Sequence, residues 1–406
     1  MKYTTLILLG FLTCLSCKKG IEPEPTPPVV TETPEREISL SVYGDPSHNQ
    51  IEIIVSDTAA KFLLDTLVSI GDMHFLKVRS EQTKFNITTV DFDQPSGIKY
   101  VQTFYQVTPD HWKINQANNV GFYDSSYETK VEGELFYYNL PQNVQAASIQ
   151  FGNAYAGGYN GIDKTITLNY SWKLPYLSCV LFPSLRLYHF YETTNIKDSV
   201  NLAQMDTALT FTFQKSLPLS SSTRRVTIYK KKDDISSVVR FWRSTYESGV
   251  AEYDIMYPPK DAAQYLVEFA AVDNNHAVHI TNQFGDQLPT TLDFLDSSYY
   301  SVTQHGIQNF EISFPKTKPS VYSVSFTADK LFWNIHLPSE KNTFNGTDKI
   351  IDLSQSILLK AMDFSKIQPG ELHIENGDNM TYVDYYNFIF ASDAAGKNRL
   401  HRYQYF

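Results

Sequence analysis

Cysteine is almost missing from this 406-residue chain, which has three. Cys14 and Cys17 stand near the start, and only Cys179 falls in the rest. One thiol has no partner, so a disulfide-stapled scaffold is excluded. Charge is also sparse, at 19% of residues, and it leans acidic: 34 Lys and Arg against 44 Asp and Glu. The net −10 lacks the basic footprint of a nucleic-acid binder, so no nucleic-acid partner is expected. Helical periodicity is scarce. No G-x-S-x-G elbow, H-E-x-x-H pair, P-loop, EF-hand loop or dinucleotide G-x-G-x-x-G occurs. No catalytic residue, cofactor or metal is therefore assigned. What is plentiful is apolar and aromatic, with 27 Tyr, 26 Phe and a hydrophobic fraction of 42%. That is enough for real cores and excludes global disorder. The length predicts roughly two to four domains at about 150 residues each.

The N-terminus carries an address. Met1-Lys2-Tyr3 is short and basic, and residues 4–15 form an apolar run. A permanent membrane helix needs about 20 apolar residues, so this run reads as a signal-peptide core. Cys14-Leu15-Ser16-Cys17-Lys18-Lys19 follows. It resembles the lipobox of bacterial lipoproteins, with a small residue, Ser16, before the acceptor Cys17. Cys14 stands where that family usually carries Leu. The resemblance implies cleavage after residue 16 and acylation of Cys17. It also implies attachment to the membrane through the lipid, since several acyl chains give a stable anchor where one is marginal. Residues 18–36, KKGIEPEPTPPVVTETPER, read as a Pro-rich tether that resembles those of surface lipoproteins in Bacteroidota. Extended as polyproline II at about 3.1 Å per residue, it reaches roughly 50–60 Å. The expected location is the bacterial envelope, lipid-anchored at the outer membrane and exposed at the surface.

Beyond residue 36, period-2 alternation dominates. Ile38, Leu40 and Val42 share a face, as do Ile51, Ile53 and Val55. The pattern returns at Ile166–Trp172, Leu209–Phe213, Phe310–Phe314 and Leu331–Leu337. Turn signals such as Gly44-Asp45-Pro46 and Gln94-Pro95-Ser96-Gly97 separate these runs. The fold class expected is all-β: tandem antiparallel β-sandwich domains of immunoglobulin-like type behind the tether. The divisions are 1–16 signal, 17–36 lipidated Cys and linker, then β domains at 37–115, 116–215, 216–305 and 306–406. Residues 235–242 also fit a helix, and residues 352–364 are a second helical stretch. A weak internal repeat relates Ser148-Ile149-Gln150-Phe151 to Ser323-Val324-Ser325-Phe326. It also relates Phe182-Pro183-Ser184 to Leu337-Pro338-Ser339.

Glu371, His373 and Glu375 alternate with Leu372 and Ile374, about 6.6–7 Å apart on one strand face. Such groups can ligate a metal, but the solvated face of an amphipathic strand accounts for them. Cys179, within Leu177–Phe182, reads as a small core thiol. The basic cluster Arg224, Arg225, Lys230, Lys231, Lys232, Arg240 and Arg243 reads as edge-strand protection. Among the tryptophans, Trp172 and Trp333 fall on apolar faces. Trp112 and Trp242 are the ligand-stacking candidates. The functional expectation is a non-catalytic binding or scaffold module, with glycan as a ligand class. One rival is a structural or adhesive component that assembles with other surface proteins by strand addition. The other is a hydrolase whose site is built from distant loops.

Overall fold

Alternation in sequence becomes one-sided burial in space. Strand β1 (Glu35–Tyr43) buries Ile38, Leu40 and Val42, and β2 (Gln50–Ser56) buries Ile51, Ile53 and Val55. In β2 the intervening Glu52 and Ile54 are buried as well, so this strand is covered on both faces. The structure, a computed structural model, describes residues 33–43, 50–93, 96–109, 111–115, 131–142, 147–151, 154–159, 165–172, 176–214, 219–232, 237–245, 252–273, 276–295, 300–307, 309–316, 318–345, 356–377, 379–390 and 399–405. The signal, Cys17 and nearly all of the tether lie outside them. Residues 35–406 form one compact unit.

The backbone of that unit is a twelve-stranded sheet. In spatial order it runs β18 (Val238–Thr245), β17 (Leu219–Tyr229), β20 (Gln264–Asp273), β21 (Val278–Gly285), β28 (Arg399–Tyr405) and β27 (Gln368–Gly377). It continues through β24 (Val321–Ala328), β25 (Leu331–Leu337), β6 (Ile98–Val107), β5 (Phe85–Asp93), β2 and β3 (Phe62–Ser69). Every pairing in it is antiparallel except that of β25 with β6. Smaller sheets pack against it. One is β4 (Met73–Arg79), β1 and β7 (Trp112–Asn115), and another pairs β16 (Leu209–Gln214) with β19 (Glu252–Tyr257). A third is β22 (Ser301–Gly306), β23 (Asn309–Ser313) and β26 (Thr343–Asn345). The segment 131–207 supplies β11 (Thr165–Trp172), β8 (Val131–Tyr138) and β14 (Lys197–Asn201) as one sheet. It also supplies a sheet of β10 (Ala154–Tyr159), β9 (Ala147–Phe151), β12 (Tyr176–Phe182), β13 (Leu187–Thr193) and β15 (Asp206–Thr207).

The protein is all-β, with paired sheets enclosing apolar cores in sandwich fashion. One core joins Ile38, Leu40, Ile53, Ile87 and Phe104, and a second joins Val101, Val324, Phe326, Ile335 and Leu337. A third gathers Cys179, Phe213, Val226, Phe241 and Phe269, and a fourth Leu135, Ile149, Val180 and Phe182. Each large aliphatic side chain buried in this way contributes about 1.5–3 kcal/mol. Cys179 is a buried free thiol, and burial pushes its pKa up.

The stretch 235–242, which fits a helix and an alternating strand alike, is strand from residue 238 on, and the described residues of 352–364 do not form an α-helix. Residues 238–245 are strand β18, and residues 356–362 make a chain of turns closed by Lys360 N–H on Ser356 O and Met362 N–H on Leu359 O. The α-helix that does form among the described residues is α1 (Tyr382–Phe390). Thr381 Oγ1 accepts from Asp384 N–H and donates to Asp384 Oδ2, which caps its start. Tyr382, Tyr385, Tyr386 and Ile389 fall at helical spacing and are buried.

The repeat has a structural counterpart. Ser148 and Ile149 pair with Leu181 and Val180, one and two residues before Phe182-Pro183-Ser184. Ser323 and Val324 pair with His336 and Ile335, one and two before Leu337-Pro338-Ser339. The register is the same in both, although the first pair is separated by β10 and β11 and the second is a hairpin.

Candidate binding face

The two faces of the twelve-stranded sheet part company at β6 and β25. Val101, Trp333 and Ile335 point into one core, while Phe104 and His336 point into the other, beneath α1 and β1. Along that second face each step of two residues moves about 6.6–7 Å from Phe104. The first step reaches Gln102 and Asn334, which are direct partners in the parallel register. The next reaches Tyr100 and Phe332, also partners, whose rings stack at 5.5 Å between centroids and 16° between planes. Phe332 is 45% exposed, while Tyr100, Gln102 and Asn334 are partly exposed. Among the described residues the amides of Gln102 and Asn334 have no side-chain hydrogen bond. Ser325 and Thr89 continue the amide row on either side, and Thr327 flanks Phe332. The result is an open platform: a stacked aromatic pair beside two free amides, each able to donate and accept.

Among the described residues carboxylates stand at its margins. Asp91, opposite Tyr100, is 9% exposed, and its Oδ1 accepts from Phe92 N–H at 2.7 Å. Glu371 lies on β27, and burial raises its pKa. Four strand spacings of about 4.8 Å separate β27 from β5, so the two acids are some 19 Å apart, too far to act as a pair.

The residues singled out from sequence fall elsewhere. Trp112 is not an open stacking surface. It is 1% exposed, its Nε1 donates to Asn387 Oδ1 at 2.8 Å, and its ring packs on Phe104 and Phe390. Trp242 is partly exposed, but the Arg224 guanidinium lies 5.7 Å from its ring centre. Trp333 is core, as its alternation implies. Trp172 lies in β11 with its side chain outside the description. The Glu371, His373, Glu375 face is not a solvated one. Glu375 is buried and its Oε1 lies 3.1 Å from His373 Nδ1. Among the described residues no group of three His, Cys, Asp or Glu is placed to hold a metal ion, and no helix there is long and apolar enough to cross a membrane.

A second pair of acids meets across β2 and β3, where the Glu52 charge bears on Asp65, whose Oδ1 is buried and has no hydrogen-bond partner among the described residues. Glu52 is fully buried, and it accepts from Ser356 Oγ at 2.7 Å and from the N–H groups of Ile357 and Leu358. Every oxygen of Glu52 is committed to holding a turn, which is a structural use.

No family model matches the chain, and no curated protein does. Among solved structures it is similar to the Bacillus anthracis TIE protein at 13% identity, over 59% of this chain and 45% of that one, with a TM-score of 0.15. This chain thus spans less than half of that protein, and the overlap is too slight to transfer a fold or a role.

Proposed function

We propose that the protein is a lipid-anchored envelope lipoprotein acting as a non-catalytic surface module that binds glycan. The observation that carries the reading is the Tyr100–Phe332 platform with its two unpaired amides. An exposed aromatic face lies flat on the apolar face of a sugar ring, and side-chain amides satisfy paired hydroxyls. The wide separation of Asp91 and Glu371 disfavours a hydrolase. The anchor rests on the lipobox at Cys17 and the tether that follows it.

A glycan array probed with the chain should give hits that Phe332→Ala weakens about tenfold, which is about 1.4 kcal/mol. Phe332 is exposed, so the variant should keep parental stability within about 0.5 kcal/mol. An array with no hits, or hits unchanged by the variant, would remove the platform from the account. Cys17→Ala should move the protein from the membrane to the soluble fraction on cell fractionation. Retention of that variant in the membrane would refute the anchor.

One observation favours the assembly rival. Strand β3 ends the twelve-stranded sheet, contains no Lys, Arg or Pro, and exposes Phe62 and Leu67. Such an edge can accept another strand. Under that reading Leu67→Lys lowers the assembled fraction seen by sedimentation.

A further inference from the structure

The opposite end of the sheet carries three guanidinium groups on one face. Arg225 of β17 stands directly across from Arg243 of β18, and a bulge brings Arg240 opposite Thr227, two residues along. The apolar side chains between them, Val226, Ile228, Val239 and Phe241, point the other way into a core. One carboxylate serves the group: Arg225 Nη1 lies 3.2 Å from Glu268 Oε2 on β20. Among the described residues two positive charges are left over.

Edge protection explains charges that stand in water. It does not explain Arg240. This guanidinium is half-buried, its Nε is shut off from solvent without a partner, and among the described residues it makes no ion pair. The Nε of Arg225 is buried and unpartnered as well. Burial lowers the pKa of Arg240 to about 10, with Arg225 and then Arg243 adding repulsion against the pull of Glu268. Desolvated like charges with idle N–H donors are costly alone and become favourable once an anion sits among them.

We propose that Arg225, Arg240 and Arg243 form a binding site for an oxyanion, a sulfate, phosphate or carboxylate group brought by a ligand from outside the chain. The site is separate from the Tyr100–Phe332 platform and does not depend on it. The exposed guanidinium of Arg243 at the sheet edge, with those of Arg240 and Arg225 partly exposed beside it, suits an oxygen-rich anion that approaches from solvent, and the arginine fork matches its geometry. The same group could arrive as a free ion or as a substituent on an acidic polymer.

The test is thermal unfolding of the full chain and its Arg240→Gln variant in sodium sulfate and in sodium chloride at matched ionic strength. Sulfate stabilises folded proteins generally, so the variant is the control. The expected result is a saturable rise in melting temperature with sulfate in the parent that is absent in Arg240→Gln. In chloride alone the variant should melt higher than the parent, because a repelled charge has gone. Arg243→Gln, at an exposed position, should fold normally and lose about tenfold in sulfate affinity. Equal responses of parent and Arg240→Gln to the two salts would overturn the site. Dextran sulfate against neutral dextran then separates the sources. Binding at least tenfold tighter per sulfate than the inorganic ion, and lost in Arg240→Gln, supports the site with a polymeric ligand. Binding no tighter per sulfate, and likewise lost, supports it with a free ion. Binding that survives in Arg240→Gln overturns it.

Discussion

Replacing His336 by phenylalanine is expected to raise stability at neutral pH and to remove much of the protein's sensitivity to acid. His336 is fully buried, stacks on Phe104 at 4.7 Å and 5°, and has no hydrogen-bond partner among the described residues at either ring nitrogen. A neutral imidazole carries one N–H, and leaving it unpaired in the interior costs about 1–3 kcal/mol. Phenylalanine keeps the stack and removes that cost. Burial lowers the pKa of His336 from 6.5 to about 4, against a smaller pull from Glu375. Between those values the unfolded chain takes up a proton that the folded one refuses. Stability from this residue is therefore complete above pH 6.5 and is lost as pH falls through about 4. The linked change is about 3 kcal/mol over that window. Urea unfolding at a series of pH values should show a flatter profile in His336→Phe than in the parent. His189, whose pKa burial also lowers, supplies part of the slope that remains. Superimposable profiles would show that the ring finds a partner in solution.

Glu52→Ala should be the most damaging single substitution in β2, at about 3–4 kcal/mol. It strands Ser356 Oγ and the N–H groups of Ile357 and Leu358, each of which loses a charged acceptor. The same site predicts a pH effect of opposite sign to that of His336. Burial, and then the Glu52 charge, raise the pKa of Asp65 from 3.8 to about 7. In that interval the folded state holds a proton that the unfolded state releases. Stability from Asp65 is thus full below about pH 3.8 and is lost as pH rises through about 7. Asp65 is partly exposed, so solvent trims the size of the effect. Asp65→Asn should melt at a higher temperature than the parent at pH 8 and at the same temperature near pH 4. Equal shifts at both pH values would mean that the folded state does not hold Asp65 protonated.

The strands were legible because period-2 alternation is local: β1, β16, β23 and β25 all lie where their apolar residues alternate. What escaped depends on distance along the chain. Glu52 reads as solvent-facing because Ile51 and Ile53 mark the buried side, yet a turn 304 positions later covers the other face. Trp112 follows Asp110-His111 and reads as exposed, yet Asn387 on α1 closes over it from 275 positions away. The stacked pair Tyr100 and Phe332 comes together only through the parallel pairing of β6 with β25, which no local pattern announces. Helix α1 was missed for a different reason. Its Tyr and Phe residues favour strands, although Thr381-x-x-Asp384 and the helical spacing behind it were there to be read. The arginine cluster was visible as composition. Its burial, which separates an anion site from an edge guard, was not.

Strand β28 comes later in the chain than every other strand of the large sheet, yet it lies between β21 and β27 in its middle. While the polypeptide is still being synthesised, both neighbours must wait with open backbone edges. The two parts of the large sheet, β18 to β21 and β27 to β3, are therefore joined only when β28 pairs with both.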